Sequence, residues 1–326
     1  MTGAPPGAAP PARVRAGFFL AAVLAAALCL GGCISLPQSE ALYAAAPAGL
    51  PERAELANVP RHRQDDFLCG PAALASVFNA AGVPATVESL TPMVYLPGRQ
   101  GSLQAEMLGT TRRAGLVAYK LAPEYEAVLR EVAAGTPVVV LINLALRLFP
   151  IWHYAVIIGY DLERGRVVLI SGNREREEFG LGFFEYLWQD SGYWAMVALA
   201  PGRLPATARE PEFAASVAAL ERIGNPAAAR ESYRALLARW PASLPGLFGL
   251  GNVEYALGDP AAAERAFRRA SEAHPQSAPA FNNLAHTLAE LGRLAEAEAA
   301  ARTAVALGGP ALEEAQKTLE AILQRR

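Results

Sequence analysis

Apolar positions along the chain fall into three textures. Residues 17–30 form one unbroken apolar run. From Cys69 onward, apolar residues first recur at helical spacing and then bunch into continuous β-branched runs. From about residue 210 to the end, the spacing is helical throughout and repeats with a long period.

In the middle texture, Pro71 suits a first helical turn, because its φ is fixed and its missing N–H would be unpaired there anyway. Ala72, Ala73, Leu74, Val77, Phe78 and Ala81 then follow a helical face until Gly82 stops it. Ser102 is placed to cap a helix running to about Ala114, with Gly115 ending it. Glu124 to Ala134 reads as a further helix, closed by Gly135. Pro137 to Asn143 is a continuous apolar run and predicts a buried strand. Tyr154 to Tyr160 predicts a second strand, joined through Asp161–Gly165 to a third over Arg166–Ser171, and Tyr193 to Ala200 a fourth. Helices followed by an antiparallel sheet make an α+β domain.

The third texture is a repeat. Gly224, Gly258 and Gly292 stand 34 residues apart, as do Ala229, Ala263 and Ala297, and as do Pro241 and Pro275. Tyr233 and Phe267 share a phase, and so do Leu250 and Leu284. A 34-residue period with glycine between two helices and proline after the second matches the tetratricopeptide pattern. Three repeats are expected over about 210–243, 244–277 and 278–310, with a closing helix over 311–324. Arrays of this kind bind peptides or proteins. The plainer alternative is that they only stabilise or space the first domain.

The N-terminus changes the picture. Arg13 and Arg15 precede the apolar run over Gly17–Leu30, which is shorter than the roughly 20 residues of a spanning helix. Leu30-Gly31-Gly32-Cys33 follows and resembles a bacterial lipobox, with cleavage before Cys33 and lipid on its thiol. An ordinary signal peptide or an anchor helix is the alternative. Residues 1–32 are therefore expected to be a lipoprotein signal peptide. Residues 33–57, rich in alanine and proline, are expected to be a flexible tether. Ile34 and Ser35 follow the cysteine with no Asp beside it, and by resemblance this favours the periplasmic face of the outer membrane of a Gram-negative cell. The division that follows is 58–202 for the α+β domain and 203–326 for the repeats and closing helix.

The chain's three cysteines are Cys29, Cys33 and Cys69. The first leaves with the signal peptide and the second is taken up by lipid, so Cys69 is the one thiol remaining in an oxidising compartment. An intermolecular disulfide or a small buried side chain is the alternative to a nucleophile. At a helix start, Cys69 lies beside unpaired N–H groups and the positive end of the dipole, which favours a thiolate. Gln64, five residues upstream, is placed to offer an N–H to an oxyanion together with the Cys69 backbone N–H. Of His62, His153, His274 and His286, His153 alone opens a strand after these helices, where a base would meet the thiol. A structural histidine is the alternative.

Gln64, then Cys69-Gly70-Pro71-Ala72-Ala73-Leu74 at a helix start, then His153 before a strand ending Gly159-Tyr160-Asp161, resembles papain-like cysteine peptidases. Within them the chain is most similar to the double-glycine-leader, bacteriocin-processing group. The resemblance covers about residues 59–200. It implies Cys69 as nucleophile, His153 as base and Gln64 as oxyanion donor. Those peptidases usually place Asp-Pro after the histidine strand, whereas here Ile170-Ser171-Gly172-Asn173 stands. Asn173 is the residue expected to orient the imidazole, with Ser171 a weaker candidate and Asp161 a turn residue.

At 52% hydrophobic, 18% charged and a net charge of −2, the chain is globular and gives no sign of nucleic-acid binding. It has no Cys-x-x-Cys, His-Glu-x-x-His, Walker loop or dinucleotide fingerprint, so no cofactor or metal is expected. The expectation is an α+β papain-like peptidase domain followed by an all-α tetratricopeptide solenoid. Its substrate is a peptide or protein, its repeats take a protein partner, and lipid on Cys33 ties it to the membrane. The competing expectation is a peptidase-fold scaffold that binds without cleaving. A peptidoglycan amidopeptidase fits less well, since that group carries an Asp-Cys-Ser box.

Overall fold

The structure, a computed structural model, describes residues 35–63 and 67–325. The signal peptide, Cys33 and Gln64 lie outside the described residues.

After helix α1 (Pro37–Ala44) and strand β1 (Arg53–Glu55), three helices follow: α2 (Cys69–Ala80), α3 (Val87–Val94) and α4 (Gln104–Arg113). Between α3 and α4 lies a two-stranded ribbon, β2 (Tyr95–Leu96) and β3 (Gly101–Ser102). The main sheet is antiparallel, in the order β4 (Val117–Lys120), β9 (Ala195–Leu199), β5 (Val138–Asn143), β6 (Trp152–Asp161), β7 (Arg166–Ser171) and β8 (Arg174–Gly180). β1 pairs with the far end of β6. Helices α5 (Tyr125–Ala133) and α6 (Leu181–Trp188) complete the domain.

Side-chain alternation explains how this sheet is held. On β5, Val139 and Leu141 face the layer of Leu74, Val77, Phe78 and Met107 from α2 and α4. Val138, Val140 and Ile142 face the opposite layer of Tyr125, Leu129, Phe184 and Trp188 from α5 and α6. β6 divides in the same way, with Tyr154 and Val156 on the first face and Ala155 and Ile157 on the second. Both faces are covered, so the middle of β5 (Val138–Ile142) and of β6 (Tyr154–Ile158) is a continuous apolar run although the sheet is antiparallel.

Seven helices follow: α7 (Glu210–Arg222), α8 (Pro226–Arg239), α9 (Leu244–Ala256), α10 (Pro260–Ala273), α11 (Ala278–Glu290), α12 (Leu294–Leu307) and α13 (Leu312–Gln324). The turns within the pairs carry Gly224, Gly258 and Gly292 at φ of 89°, 81° and 73°, a left-handed backbone that favours glycine. This is the helix-pair rhythm expected from the 34-residue period.

Two expectations change. The segment 33–57 is not free over its described part. The Gln38 and Ser39 N–H groups donate to the Glu185 carboxylate at 3.1 and 2.6 Å, and β1 lies in register on β6. Composition concealed this, because the partners that hold the segment stand more than a hundred residues away. Further on, the repeats are not a separate body. Phe213 of α7 packs on Tyr119 of β4, ring centroids 6.2 Å apart, and Phe213, Val217 and Leu220 belong to the same core as Val117 and Leu199. Buried Glu131 accepts from the backbone N–H groups of Ala206 and Thr207 at 3.1 and 2.8 Å and from Thr207 Oγ1 at 2.7 Å. Asn225 Nδ2 donates to the Arg112 carbonyl at 2.9 Å.

A chain ending at Gly202 should therefore expose the β4–β9 end of the sheet, bind a hydrophobic dye and melt below the full-length protein. Phe213→Ala in the intact chain should cost about 3–5 kcal/mol in urea denaturation and lower a single cooperative transition. A truncated chain melting at the full-length temperature would show that the core is not shared.

Candidate active site

Cys69 is the first residue of α2. The residue before it, Leu68, gives no side-chain cap, so the first N–H groups of the helix are left for the thiol and whatever lies against it. The approach to the helix is constrained. Phe67 sits at φ 67°, a left-handed conformation that is costly for an aromatic residue, and such strain gathers at functional sites. Gly70 is required for a different reason. A Cβ there would stand 2.6 Å from Ser102 Cβ, with the Ser102 hydroxyl closer still, because β3 packs directly on the helix start.

Cys69, His153, Ser102, Trp152, Asn173 and Phe67 line one cleft of about 730 Å³. Its far rim is the β5–β6 connection, where Asn143 at the end of β5 fixes the backbone. The Asn143 Oδ1 accepts from Ala145 N and Ile151 N at 3.1 and 2.9 Å, and its Nδ2 donates to Asp190 at 2.9 Å. Outside this anchor Leu146, Leu148, Phe149 and Ile151 are turned to solvent, around Arg147, which pairs with Asp190 at 2.8 Å.

His153 Nε2 lies 3.0 Å from Ser171 Oγ. The partner of the ring is thus Ser171, the residue ranked second in sequence. Asn173 lies at the cleft edge, where its carbonyl accepts from Arg61 at 2.7 Å. A register irregularity between Leu169 and Ser171 on the β7–β8 ladder accompanies this placement. His62, passed over in sequence, lies on the other side of the thiol. With Cys69, Ser76, Tyr154 and Gly172 it lines a small space of about 10 Å³, and its Nε2 is 2.9 Å from Asn79 Nδ2. That donor occupies the Nε2 lone pair, so His62 is not presented as a base through that atom. Its signal in sequence was only its nearness to Cys69.

Electrostatics here depart from the expected thiolate. Burial pushes the Cys69 thiol above its ordinary value, against the backbone N–H groups of Tyr154, Gly70 and Cys69, which favour the anion. Burial also pushes His153 down to about 4. Helix-end polarisation is therefore present but is outweighed by the loss of water around a half-buried sulfur. Both shifts favour the uncharged forms, thiol and imidazole. Among the described residues no cluster of His, Cys, Asp and Glu gathers to hold a metal.

Comparison with known proteins agrees with this layout. Residues 56–195 match the Peptidase C39 like family, and residues 217–263 and 248–311 match the tetratricopeptide repeat. No curated protein matches the chain. Among solved structures, a C39-like peptidase from Bacillus anthracis is 19% identical, with a TM-score of 0.39, over 46% of this chain and 98% of its own. The Yersinia enterocolitica type III secretion chaperone SycD, solved with a peptide of the translocator YopD, is 22% identical, with a TM-score of 0.33, over 36% of this chain and 94% of its own. The first tetratricopeptide region of Spaghetti (RPAP3), bound to the HSP90 peptide SRMEEVD, is 18% identical, with a TM-score of 0.34, over 36% of this chain and 91% of its own. The two family matches alone give the chain a C39-like peptidase domain followed by tetratricopeptide repeats.

A neutral pair has a kinetic signature. Alkylation of Cys69 by iodoacetamide should be slow near neutrality and rise only above the roughly pH 8.5 of a free thiol. A reactive plateau extending down to about pH 5 would instead mark a thiolate–imidazolium pair and overturn this reading.

Proposed function

We propose that the protein is a cysteine peptidase that cleaves a peptide or protein substrate, with its repeats holding the substrate or a partner. The observation that carries this reading is the convergence of Cys69, at an uncapped helix start, and His153, on the facing strand, in one cleft. His153 with its proton on Nε2 donates to Ser171 Oγ and keeps Nδ1 as a lone-pair acceptor. Substrate entering the cleft completes the transfer. The Cys69 S–H proton passes to Nδ1 as sulfur attacks the scissile carbonyl carbon, and the C=O electron pair moves onto oxygen. The Cys69 backbone N–H stabilises that oxyanion, together with the Gln64 side chain. The imidazolium then protonates the departing amine, and water hydrolyses the thioester to restore the thiol.

Ser171 orients the ring but carries no charge to stabilise an imidazolium, in keeping with a His153 value set by burial alone. The same observation favours a second reading, a binding scaffold in which this chemistry has lapsed. Location is part of the proposal. Cys33 is lipidated and ties the domain to the envelope, on the periplasmic face of the outer membrane. Its support is the Leu30-Gly31-Gly32-Cys33 sequence alone.

Cys69→Ser or His153→Ala should abolish cleavage of a peptide library, and Gln64→Ala should cost about 10²-fold in rate. Ser171→Asp places a carboxylate on the ring. It should raise the His153 value above about 4 and move the acid limb of the kcat/KM profile upward with it. No cleavage by the wild type, and no labelling of Cys69 by a thiol-reactive peptide probe, would leave the scaffold reading. Cys33→Ala should block incorporation of radiolabelled palmitate, and unchanged labelling would remove the anchor.

A further inference from the structure

A second cavity, of about 280 Å³, opens on the repeats, far in sequence from the thiol. Its walls come from the first helices of successive pairs: Asn252 and Tyr255 on α9, Asn282 and Asn283 on α11, and Glu314 on the closing helix α13. Phe267 of α10 forms the floor and is 3% exposed.

Three features define what fits there. First, Asn282 is only 5% exposed, and its Oδ1 is buried with no hydrogen-bond partner. A buried acceptor left unmade costs about 1–3 kcal/mol, and Asn282 stands in the wall of this cavity. Among the described residues the Asn252 and Asn283 carboxamides also have no hydrogen bond to the protein. A carboxamide both donates and accepts, so it can pair with the N–H and C=O of an extended backbone.

Second, the formal charge on the walls is negative. No lysine or arginine lines this cavity, and Glu314 has no ion pair among the described residues. The described cations on α13 and just after it are already engaged, Lys317 with Glu313 at 2.6 Å and Arg325 with Glu290 at 3.1 Å. A free carboxylate terminus would find no counter-ion here.

Third, the walls are aromatic as well as acidic. Tyr255 is 40% exposed, and its ring lies 5.8 Å from that of His286 and beside the Phe267 floor. A π-face next to a carboxylate is a favourable setting for an organic cation.

We infer that this groove holds an extended polypeptide segment carrying a lysine or arginine side chain. Its backbone pairs with Asn252 and Asn283, and the cation lies between Glu314 and the aromatic wall. The inference deepens the reading of the repeats as the recruiting part and rests on it. It assigns the chemistry that the recruited segment must present.

The test reads binding rather than turnover, so its outcome is separate from that of the peptidase reading. Full-length Cys69→Ser protein is titrated at 150 mM salt against three fluorescein-labelled unstructured 12-residue Gly-Ser peptides, bearing three lysines, three glutamates or no charge. The lysine peptide should bind at least 10-fold tighter than the glutamate peptide, and Glu314→Gln and Asn283→Ala should each weaken it several-fold. Neither side chain is buried, so the folded state is retained and is checked by thermal melting. Asn282→Leu fills the buried acceptor site and should weaken the uncharged peptide as well. Tighter binding of the glutamate peptide, or lysine-peptide binding untouched by both Glu314→Gln and Asn283→Ala, overturns the inference.

Discussion

A sheet that carries apolar side chains on both faces must be covered twice, and most of this molecule follows from that requirement. One cover is the trio α2, α3 and α4, which brings Cys69 to the edge of β6. The other begins with α5 and α6 and is completed by α7, the first helix of the repeats. Burying a large aromatic such as Phe213 or Tyr119 at this seam contributes on the order of 2–3 kcal/mol each from area alone. That is a large share of the few kcal/mol by which domains are stable. The same requirement explains why carboxylates appear inside. Glu131 and Glu185 are buried, and each caps chain segments that have no sheet partner of their own.

At the cleft, two effects of one geometry oppose each other. Placing sulfur at a helix start provides N–H groups that favour the anion, yet packing the helix against β6 and β3 strips water from the same atom. Burial prevails for the thiol and for the imidazole alike. Raising the thiol in this way lowers its thiolate fraction, and it is the thiolate that oxidises most readily.

What could be read in advance was local, and what could not was long-range. Gly70, Pro71 and the helical apolar spacing after them announced α2 from neighbouring residues. The continuous run at Val138–Asn143 announced a strand buried on both sides, and the glycines at 34-residue intervals announced the helix pairs. By contrast, β8 is largely charged, Arg-Glu-Arg-Glu-Glu, and pairs along the sheet edge, so no apolar pattern marks it. Ser102 was expected as a helix cap, but α4 begins after Leu103, and Ser102 packs against Gly70 instead. That Ser171 rather than Asn173 lies at hydrogen-bond distance from His153 depends on how β6 and β7 pair, which no residue type signals.

The seam between α7 and the sheet also constrains how such a chain can change over time. Tyr119 and Phe213 touch across 94 positions, and Tyr119 Oη further accepts from the Arg209 N–H at 3.2 Å. A smaller side chain at either position would leave a gap in the core that the sheet and the repeats share. Repeats borrowed from another protein would bring the wrong first helix and leave β4 bare. The first helix of the array is thus shaped by the sheet as much as by the helix that follows it.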